Sequence, residues 1–269
     1  MLEVMPKVLT DSEVEELRAA VLALEGSTFT SRLTNLLGKQ VEAVGRSLPA
    51  SARKVIARAS ETALRAALRV AVRTIDTRQA PKASRGMHKA LAAASGAVGG
   101  AFGLAAAPIE LPVSTTIMLR SIAQIAREEG EDLANPEAAL ACIEVFALGG
   151  RVSGQTALDS SYFAIRSMLA QTVSESARFI LQRGLADETA PVLVRLIAQI
   201  AARFGVVVSE KLAAQAVPIL GAVGGAVVNV AFIEHFQTIA RGHFSVRRLE
   251  RLHGADAVRF EYERLRHET

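Results

Sequence analysis

Two long stretches without an ionisable side chain constrain the fold of this chain more than any other feature. They span residues 91–109 and 212–233, and each contains the same six residues, GAVGGA, starting at Gly96 and at Gly221. Helices that carry no charge over several turns are either buried in a protein core or in contact with lipid. A bilayer span needs about 20 mainly apolar residues, so the length of both stretches permits either interpretation.

The composition of the two stretches favours burial over a stable bilayer span. The first is rich in alanine and glycine, which gain little from entering lipid. The second contains Gln215, Pro218 and Asn229, and polar groups in a membrane are costly unless they are paired. We therefore predict that both stretches form helices inside a globular or lipid-facing bundle.

The glycines of both stretches recur at intervals of four residues. Residues four apart share one helix face, and glycines there allow another backbone to approach closely. The predicted packing residues are Gly96, Gly99, Gly100, Gly103, Gly221, Gly224 and Gly225. The spacing predicts two central helices in close contact, which explains why GAVGGA occurs twice.

The overall composition indicates an all-α protein. Half of the residues are apolar, but only 4% are aromatic and there is no tryptophan. Alanine and arginine, which favour helix, are abundant, and threonine and aromatic residues, which favour strands, are scarce. We predict an all-α, multi-helix bundle with two central Gly/Ala-rich apolar helices.

Capping and helix-breaking residues divide the chain. The first helix is expected to start near Thr10 or Ser12, either of which can cap it, and a long helix is expected from Pro49 to about residue 78. Pro108 and Pro112 predict a kink or turn around Glu110. Further helices are predicted over 112–129, 136–149, 159–184 and 189–205, and two short charged helices follow the second uncharged stretch. We predict an N-terminal helical region at 1–80, which contains a basic amphipathic helix, and a helical core at 81–269.

The sequence contains a second internal similarity, between RSIAQIAREEG at 120–130 and RLIAQIAARFG at 195–205. Each segment is predicted to present two isoleucines on one helix face and to end at its glycine. The isoleucines are Ile122, Ile125, Ile197 and Ile200. The offset between these segments differs from that between the GAVGGA copies, so a tandem repeat is not supported.

The single cysteine and the first residues bear on the compartment. Cys142 lies in the apolar run ALACIEVFAL and is interpreted as a buried small hydrophobe rather than a nucleophile. The stretch MLEVMPKVLTDSEVEEL lacks a basic region followed by an apolar core, so no signal peptide is expected. We expect a cytoplasmic protein that is peripheral to the inner face of the membrane.

Positive charge is concentrated between residues 46 and 89. This segment holds eleven lysines or arginines against two acids, a net charge of about +9. The whole chain carries +4, so the remaining residues carry about −5. Such an imbalance indicates an anionic partner, such as a phospholipid surface or an acidic protein. Nucleic acid is not expected, because no aromatic residues alternate with the cations.

A helical projection of the basic helix places Leu64, Leu68, Val72 and Ile75 on one apolar stripe. The cations that flank this stripe are Lys54, Arg58, Arg65, Arg69 and Arg73, and they are the predicted lipid-binding residues. An apolar stripe edged by long cations is typical of a helix lying on an anionic membrane. An ordinary surface helix with solvated arginines shows the same pattern, and both interpretations stay open.

Polar residues near the uncharged stretches form a candidate polar site. They are Glu110, Arg120, Asn229, Glu234, His235 and His243. His235 and His243 are eight residues apart, and neither HExxH nor ExxH occurs, so no metal, cofactor or catalytic residue is predicted. Glu110 is interpreted as a structural charge paired with Arg120 or Arg127.

Three ordered stretches resemble the EcsC family of bacterial proteins. They are GAVGGAFGLAAAPIELPVSTTIMLRSIAQIAREEGEDL, SYFAIRSML and KLAAQAVPILGAVGGAVVNVAFIEHFQTIARGHFSVRRLE, and the resemblance covers about residues 82–262. It implies a helical bacterial protein, and some members are encoded beside an ABC transporter. An accessory role in membrane transport, or in another membrane-protein process, is therefore implied, with a membrane protein as a further candidate partner. The family has no settled enzymatic activity to transfer to individual residues.

These observations favour a non-enzymatic, membrane-associated helical protein that binds an anionic lipid surface or an acyl chain. Two alternatives stay open. The first is a metal-dependent or lipid-active enzyme that uses Glu110, Glu234, His235 and His243. The second is a soluble adaptor for an acidic protein partner.

Overall fold

The computed structural model describes residues 9–26, 28–37, 49–76, 107–150, 161–184, 189–215 and 221–268. These residues form nine α-helices and no strand, which confirms the predicted all-α fold. The helices are α1 (Asp11–Glu25), α2 (Phe29–Leu37), α3 (Ala50–Asp76), α4 (Ala107–Glu128), α5 (Pro136–Leu148), α6 (Tyr162–Arg183), α7 (Pro191–Gln215), α8 (Gly221–His253) and α9 (Ala255–Glu268).

Local sequence signals fix several helix ends. Thr10 and Glu13 form a reciprocal capping box at the start of α1. The Asn135 side chain accepts a hydrogen bond from the backbone of α5, and Pro136 occupies the first position of that helix. Beyond α4, Gly130 has a φ of 81°, a conformation that glycine adopts at little cost and that ends the helix.

Helix α8 is the centre of the bundle. It packs against α1, α2, α4, α5, α7 and α9. Five phenylalanines meet around it with neighbouring ring centroids 5.1–6.1 Å apart: Phe29, Phe146, Phe204, Phe232 and Phe236. Helix α5 is buried on every side except at Glu137, and Cys142 lies within it. Burial raises the pKa of the Cys142 thiol to about 12, so this cysteine is the buried hydrophobe that was predicted.

Helices α4 and α8 run parallel with a constant register. The Gln237 side chain donates to Ser121 Oγ at 2.7 Å, and Arg247 donates to Glu131 at 2.8 Å, both with a separation of 116 residues. The two helices therefore begin at the same end of the bundle. This alignment matters for the site, because each helix begins beside an uncharged stretch.

Three predicted boundaries were wrong. Helix α4 runs through Pro108 and Pro112 without the predicted turn, because Pro108 lies in its first turn, where a backbone N–H is not needed. Helix α7 continues ten residues past Gly205 to Gln215, because packing against α3 supports the glycine. From Gly221 onwards, the second uncharged stretch and the charged residues after it form one helix, α8, of 33 residues.

The predicted packing glycines are only partly covered. Gly96, Gly99, Gly100 and Gly103 lie outside the described residues. Gly221, Gly224 and Gly225 form the first turns of α8, and Gly225 is buried. Helices α1, α2 and α3 contribute to the same hydrophobic core as the later helices. The boundary near residue 80 stays a prediction, since residues 77–106 are not described.

Candidate functional site: the basic helix and the buried polar groups

The apolar stripe of the basic helix α3 packs into the protein core at Leu64, Leu68 and Val72, and the side chain of Ile75 lies outside the described residues. Leu64 and Leu68 are buried together with Ile56, Ala63 and Ala67 on the same face. This face contacts α4, α5 and α7. The amphipathic pattern of α3 therefore arises from packing within the bundle, and Leu64 and Leu68 are not available for insertion into lipid.

The cations of α3 point away from that core. Lys54, Arg58 and Arg69 are exposed, as is Arg53, and Arg65 is half-buried. Within the described part of the chain, no carboxylate forms an ion pair with Arg53, Lys54, Arg58 or Arg65. For Arg73 the structure describes the helical backbone but not the side chain. The result is a row of solvent-facing cations on α3, of which Arg53, Lys54, Arg58 and Arg65 form no ion pair with the described carboxylates.

Glu110 and Lys211 form a buried ion pair that joins α4 to α7. Lys211 Nζ donates to Glu110 Oε1 at 2.5 Å, and the two side chains are 0% and 5% exposed. Lys211 Nζ also lies 4.7 Å from the centroid of the Phe232 ring on α8. Burial lowers the pKa of Lys211, although Glu110 opposes the effect. The partner of Glu110 is thus Lys211, and the prediction of Arg120 or Arg127 was wrong.

The surroundings of this pair contain further buried polar atoms. Glu110 Oε2, the hydroxyl of Thr115 and both side-chain polar atoms of Gln215 have no hydrogen-bond partner in the described structure. A buried polar atom without a partner destabilises a fold by about 1–3 kcal/mol. Hydrophobic packing therefore stabilises this end of the bundle and offsets the cost of burying these polar groups.

A second polar cluster connects α6 to α8. Arg166 donates to the hydroxyl of Tyr162 at 3.1 Å, and that hydroxyl lies 3.0 Å from Nδ1 of His243. The guanidinium donates to the tyrosine oxygen, and the tyrosine hydroxyl and Nδ1 share one hydrogen bond whose direction depends on the tautomer of the imidazole. Burial, with the charges of Arg166 and Arg247 as smaller causes, lowers the pKa of His243 well below its usual range. Arg166 also forms a two-point ion pair with Glu250 at 2.8 and 3.1 Å.

Glu144 adds a buried carboxyl group to the electrostatic surroundings of this cluster. Burial raises its pKa to about 6, although the charges of Arg166 and Arg247 favour its ionised form. Tyr162, Arg166 and Glu250 were not predicted from the sequence. Tyr162 lies 81 residues from His243 along the chain and Arg166 lies 84 residues from Glu250, so no local motif connects the two helices.

His235 has a different environment from His243. Its Nε2 donates to the carbonyl of Gly149 at 3.0 Å, and its ring contacts Phe29 and Phe236. Burial lowers the pKa of His235 to about 4, and the bond to Gly149 opposes this shift. The imidazole is therefore neutral at physiological pH and links α8 to the end of α5.

The residues of the predicted polar site are not gathered in one place. Arg120 and Glu234 are exposed, and Asn229 is buried in α8. Glu110 contacts Lys211, His235 contacts Gly149, and His243 contacts Tyr162. Among the described residues, no group of three or more histidine, cysteine, aspartate or glutamate side chains could hold a metal ion. The enzyme interpretation thus gains no support from this geometry.

One described helix, α7, is long and apolar enough to cross a membrane by length and composition, and half of its most apolar window is buried in the bundle. Core helices of soluble proteins show the same property, so this finding alone is weak evidence. A search of curated proteins and a search of solved structures found no match. The model of the EcsC protein family matches residues 11–249, further towards the N-terminus than the three resembling stretches. The chain therefore belongs to the EcsC protein family.

Proposed function

We propose that this protein is a membrane-associated helical protein without enzymatic activity, and that it binds an anionic lipid surface through the cations of α3. The proposal places it at the inner face of the cytoplasmic membrane, with anionic phospholipid as its partner. The observation that carries it is the row of solvent-facing cations on α3, of which Arg53, Lys54 and Arg58 are exposed and have no ion-pair partner among the described residues.

Binding in this proposal comes from the attraction between the cations of α3 and the anionic surface, and not from insertion of α3 into the membrane. The apolar stripe of α3 faces the core, so the helix presents lysine and arginine side chains to a membrane and keeps its leucines inside. A lysine or arginine near an anionic surface contributes about 1 kcal/mol of binding free energy. Attraction of this kind is screened over about 8–10 Å at physiological salt, so binding should weaken as salt is raised.

Co-sedimentation with vesicles tests the proposal. Purified protein is mixed with neutral vesicles or with vesicles that contain phosphatidylserine, at low and at high salt. We expect sedimentation with the anionic vesicles at low salt and release at high salt. The double variant Lys54→Gln/Arg58→Gln should bind about 30-fold more weakly, since two contributions of about 1 kcal/mol are lost.

A matched control uses two exposed arginines on a different helix. Arg178 and Arg183 lie on α6 and are exposed, so Arg178→Gln/Arg183→Gln removes the same charge elsewhere. This control should bind like the unmodified protein. Equal loss in both double variants would mean that net charge alone, and not α3, determines binding. A protein that stays soluble in every condition would overturn the proposal and favour the adaptor for an acidic protein.

A further inference from the structure

Where α4, α7 and α8 meet, one end of the described bundle is nearly free of charge on these three helices. It consists of the start of α4 (residues 107–119), the end of α7 (residues 211–215) and the start of α8 (residues 221–233), and we call it the uncharged pole. Of these residues, Glu110 and Lys211 alone are ionisable, and they are buried and paired with each other. Glu210, which precedes Lys211, accepts hydrogen bonds from Thr30.

The opposite end is densely charged. There the end of α8 and the residues after α4 form a network of ion pairs that extends to α1. Its members are Glu13, Glu16, Glu129, Glu131, Arg247, Arg248, Arg251 and His253. Along the common direction of α4 and α8, the molecule therefore changes from a charged end to an uncharged one.

The uncharged pole exposes large apolar side chains. Ile109 is 78% exposed and Val113 is 49% exposed, and they lie four residues apart on one face of α4. The register between α4 and α8 places them at the level of residues 225–229, where Val227 is 38% exposed. Three exposed aliphatic side chains thus lie at the same level of the bundle, near the paired charges of Glu110 and Lys211.

We propose that the uncharged pole enters the boundary between headgroups and acyl chains when the protein binds an anionic membrane, with Ile109 and Val113 as the inserted residues. This inference rests on the proposed function and adds the part of the molecule that contacts hydrocarbon. The charges at this pole neutralise each other inside the core, so its outer surface loses little hydration when it leaves water.

A lipid surface fits this pole better than a second copy of the chain does, because of the neighbouring charge. Helix α3 packs along α4 and carries solvent-accessible cations in both halves, such as Lys54 and Arg65. Cations therefore lie towards the uncharged pole whichever way α3 runs. Two copies meeting at this pole would bring these like charges together, whereas anionic headgroups would neutralise them.

The absence of tryptophan from the chain provides a direct test. Ile109→Trp introduces a single reporter at the uncharged pole. Phe260→Trp introduces one on α9, where Phe260 is 75% exposed and follows the charged end of α8. Each variant is titrated with phosphatidylserine vesicles, with and without brominated acyl chains, and thermal unfolding verifies that it is folded. Val113→Trp serves as a second reporter at the pole.

We expect the emission of Ile109→Trp to shift to shorter wavelength and to be quenched by brominated chains, and that of Phe260→Trp to stay unchanged. In addition, Ile109→Glu should weaken vesicle binding by roughly tenfold, because an apolar contact is lost. Vesicle binding without quenching at residues 109 and 113 would overturn this inference and leave the proposed function intact. A loss of all vesicle binding in the unmodified protein would overturn both. If the emission of Ile109→Trp shifts to shorter wavelength in the absence of vesicles as the protein concentration rises, the pole binds a second copy of the chain and the inference is overturned.

Discussion

The Glu110–Lys211 pair provides a strong test of how the bundle is stabilised. Both side chains are buried, so removing one leaves an uncompensated charge in the core. Breaking a buried pair in this way costs about 3–5 kcal/mol. We expect Lys211→Met and Glu110→Leu each to lower the free energy of unfolding by this amount, a large share of the roughly 5–15 kcal/mol of a whole domain.

The double variant separates the role of charge from that of packing. Replacing both partners of a buried pair by apolar residues of similar size is often neutral, or stabilising by about 1–4 kcal/mol. Here the second oxygen of Glu110 has no hydrogen-bond partner among the described residues, so the pair is incompletely compensated by them. Glu110→Leu/Lys211→Met should therefore recover most or all of the stability that either single substitution removes.

Thermal and urea unfolding of the four proteins measure this effect. For a chain of this size, 1 kcal/mol shifts Tm by roughly 2–4 °C, so each single substitution should lower Tm by roughly 6–20 °C. The exposed pair Arg195–Glu175, with side chains 57% and 35% exposed, is a matched control. Arg195→Met should cost less than about 1 kcal/mol. The reasoning is refuted if the buried single substitutions cost no more than this control, or if the double variant loses as much as both singles together.

The remaining predictions concern Glu144 and two glycines. The pKa of Glu144 is raised to about 6 in the folded state, so its ionised form lowers stability by about 2 kcal/mol above that pH. Glu144→Gln should therefore raise Tm at about pH 8, with the gain disappearing towards about pH 4; a gain independent of pH in thermal scans would contradict this. A Cβ at Gly205 would meet a side-chain hydroxyl at 3.8 Å, so Gly205→Ala should stabilise the protein by about 0.5–1 kcal/mol in urea unfolding. At Gly150 a Cβ would overlap a backbone oxygen of α7, so Gly150→Ala should cost about 1–3 kcal/mol, and equal effects at the two glycines would show that this packing is wrong.

The features of the fold that depend on local chemistry were predictable from the sequence. The all-α class followed from composition, and the starts of α1 and α5 followed from Thr10 and the Asn135-Pro136 pair. These signals act within one turn of the helix that they begin. The faces of the IAQIA segments were also predictable, because Ile122 and Ile197 are both buried.

Helix ends that depend on tertiary packing were not predictable. Gly130 and Gly205 occupy the same place in two similar segments, yet Gly130 ends α4 with a φ of 81° and Gly205 lies inside α7. The cost of a glycine inside a helix is only about 1 kcal/mol, so packing of α7 against α3 outweighs it. A single sequence does not contain the information about which neighbour will supply that packing.

The candidate site shows the same division. The sequence predicted the cations of α3. It left open whether Leu64 and Leu68 face lipid or the core, because that choice depends on the positions of α4 and α7. The link between His243 and Tyr162 joins two helices through residues that are 81 positions apart in the sequence. Lys211 could have been found, since it borders the second uncharged stretch as Glu110 borders the first.

The positions of Glu110 and Lys211 in the sequence connect the uncharged stretches to the uncharged pole. Glu110 directly follows one stretch and Lys211 directly precedes the other, so their contact brings the end of the first stretch to the start of the second. A buried charge without its partner is costly, which restricts this part of the core to arrangements that keep the two together. The pair therefore specifies where the stretches meet more than it stabilises the fold. Since the contact also leaves neither Glu110 nor Lys211 unpaired, it fits the apolar surface that we propose for the pole at a membrane interface.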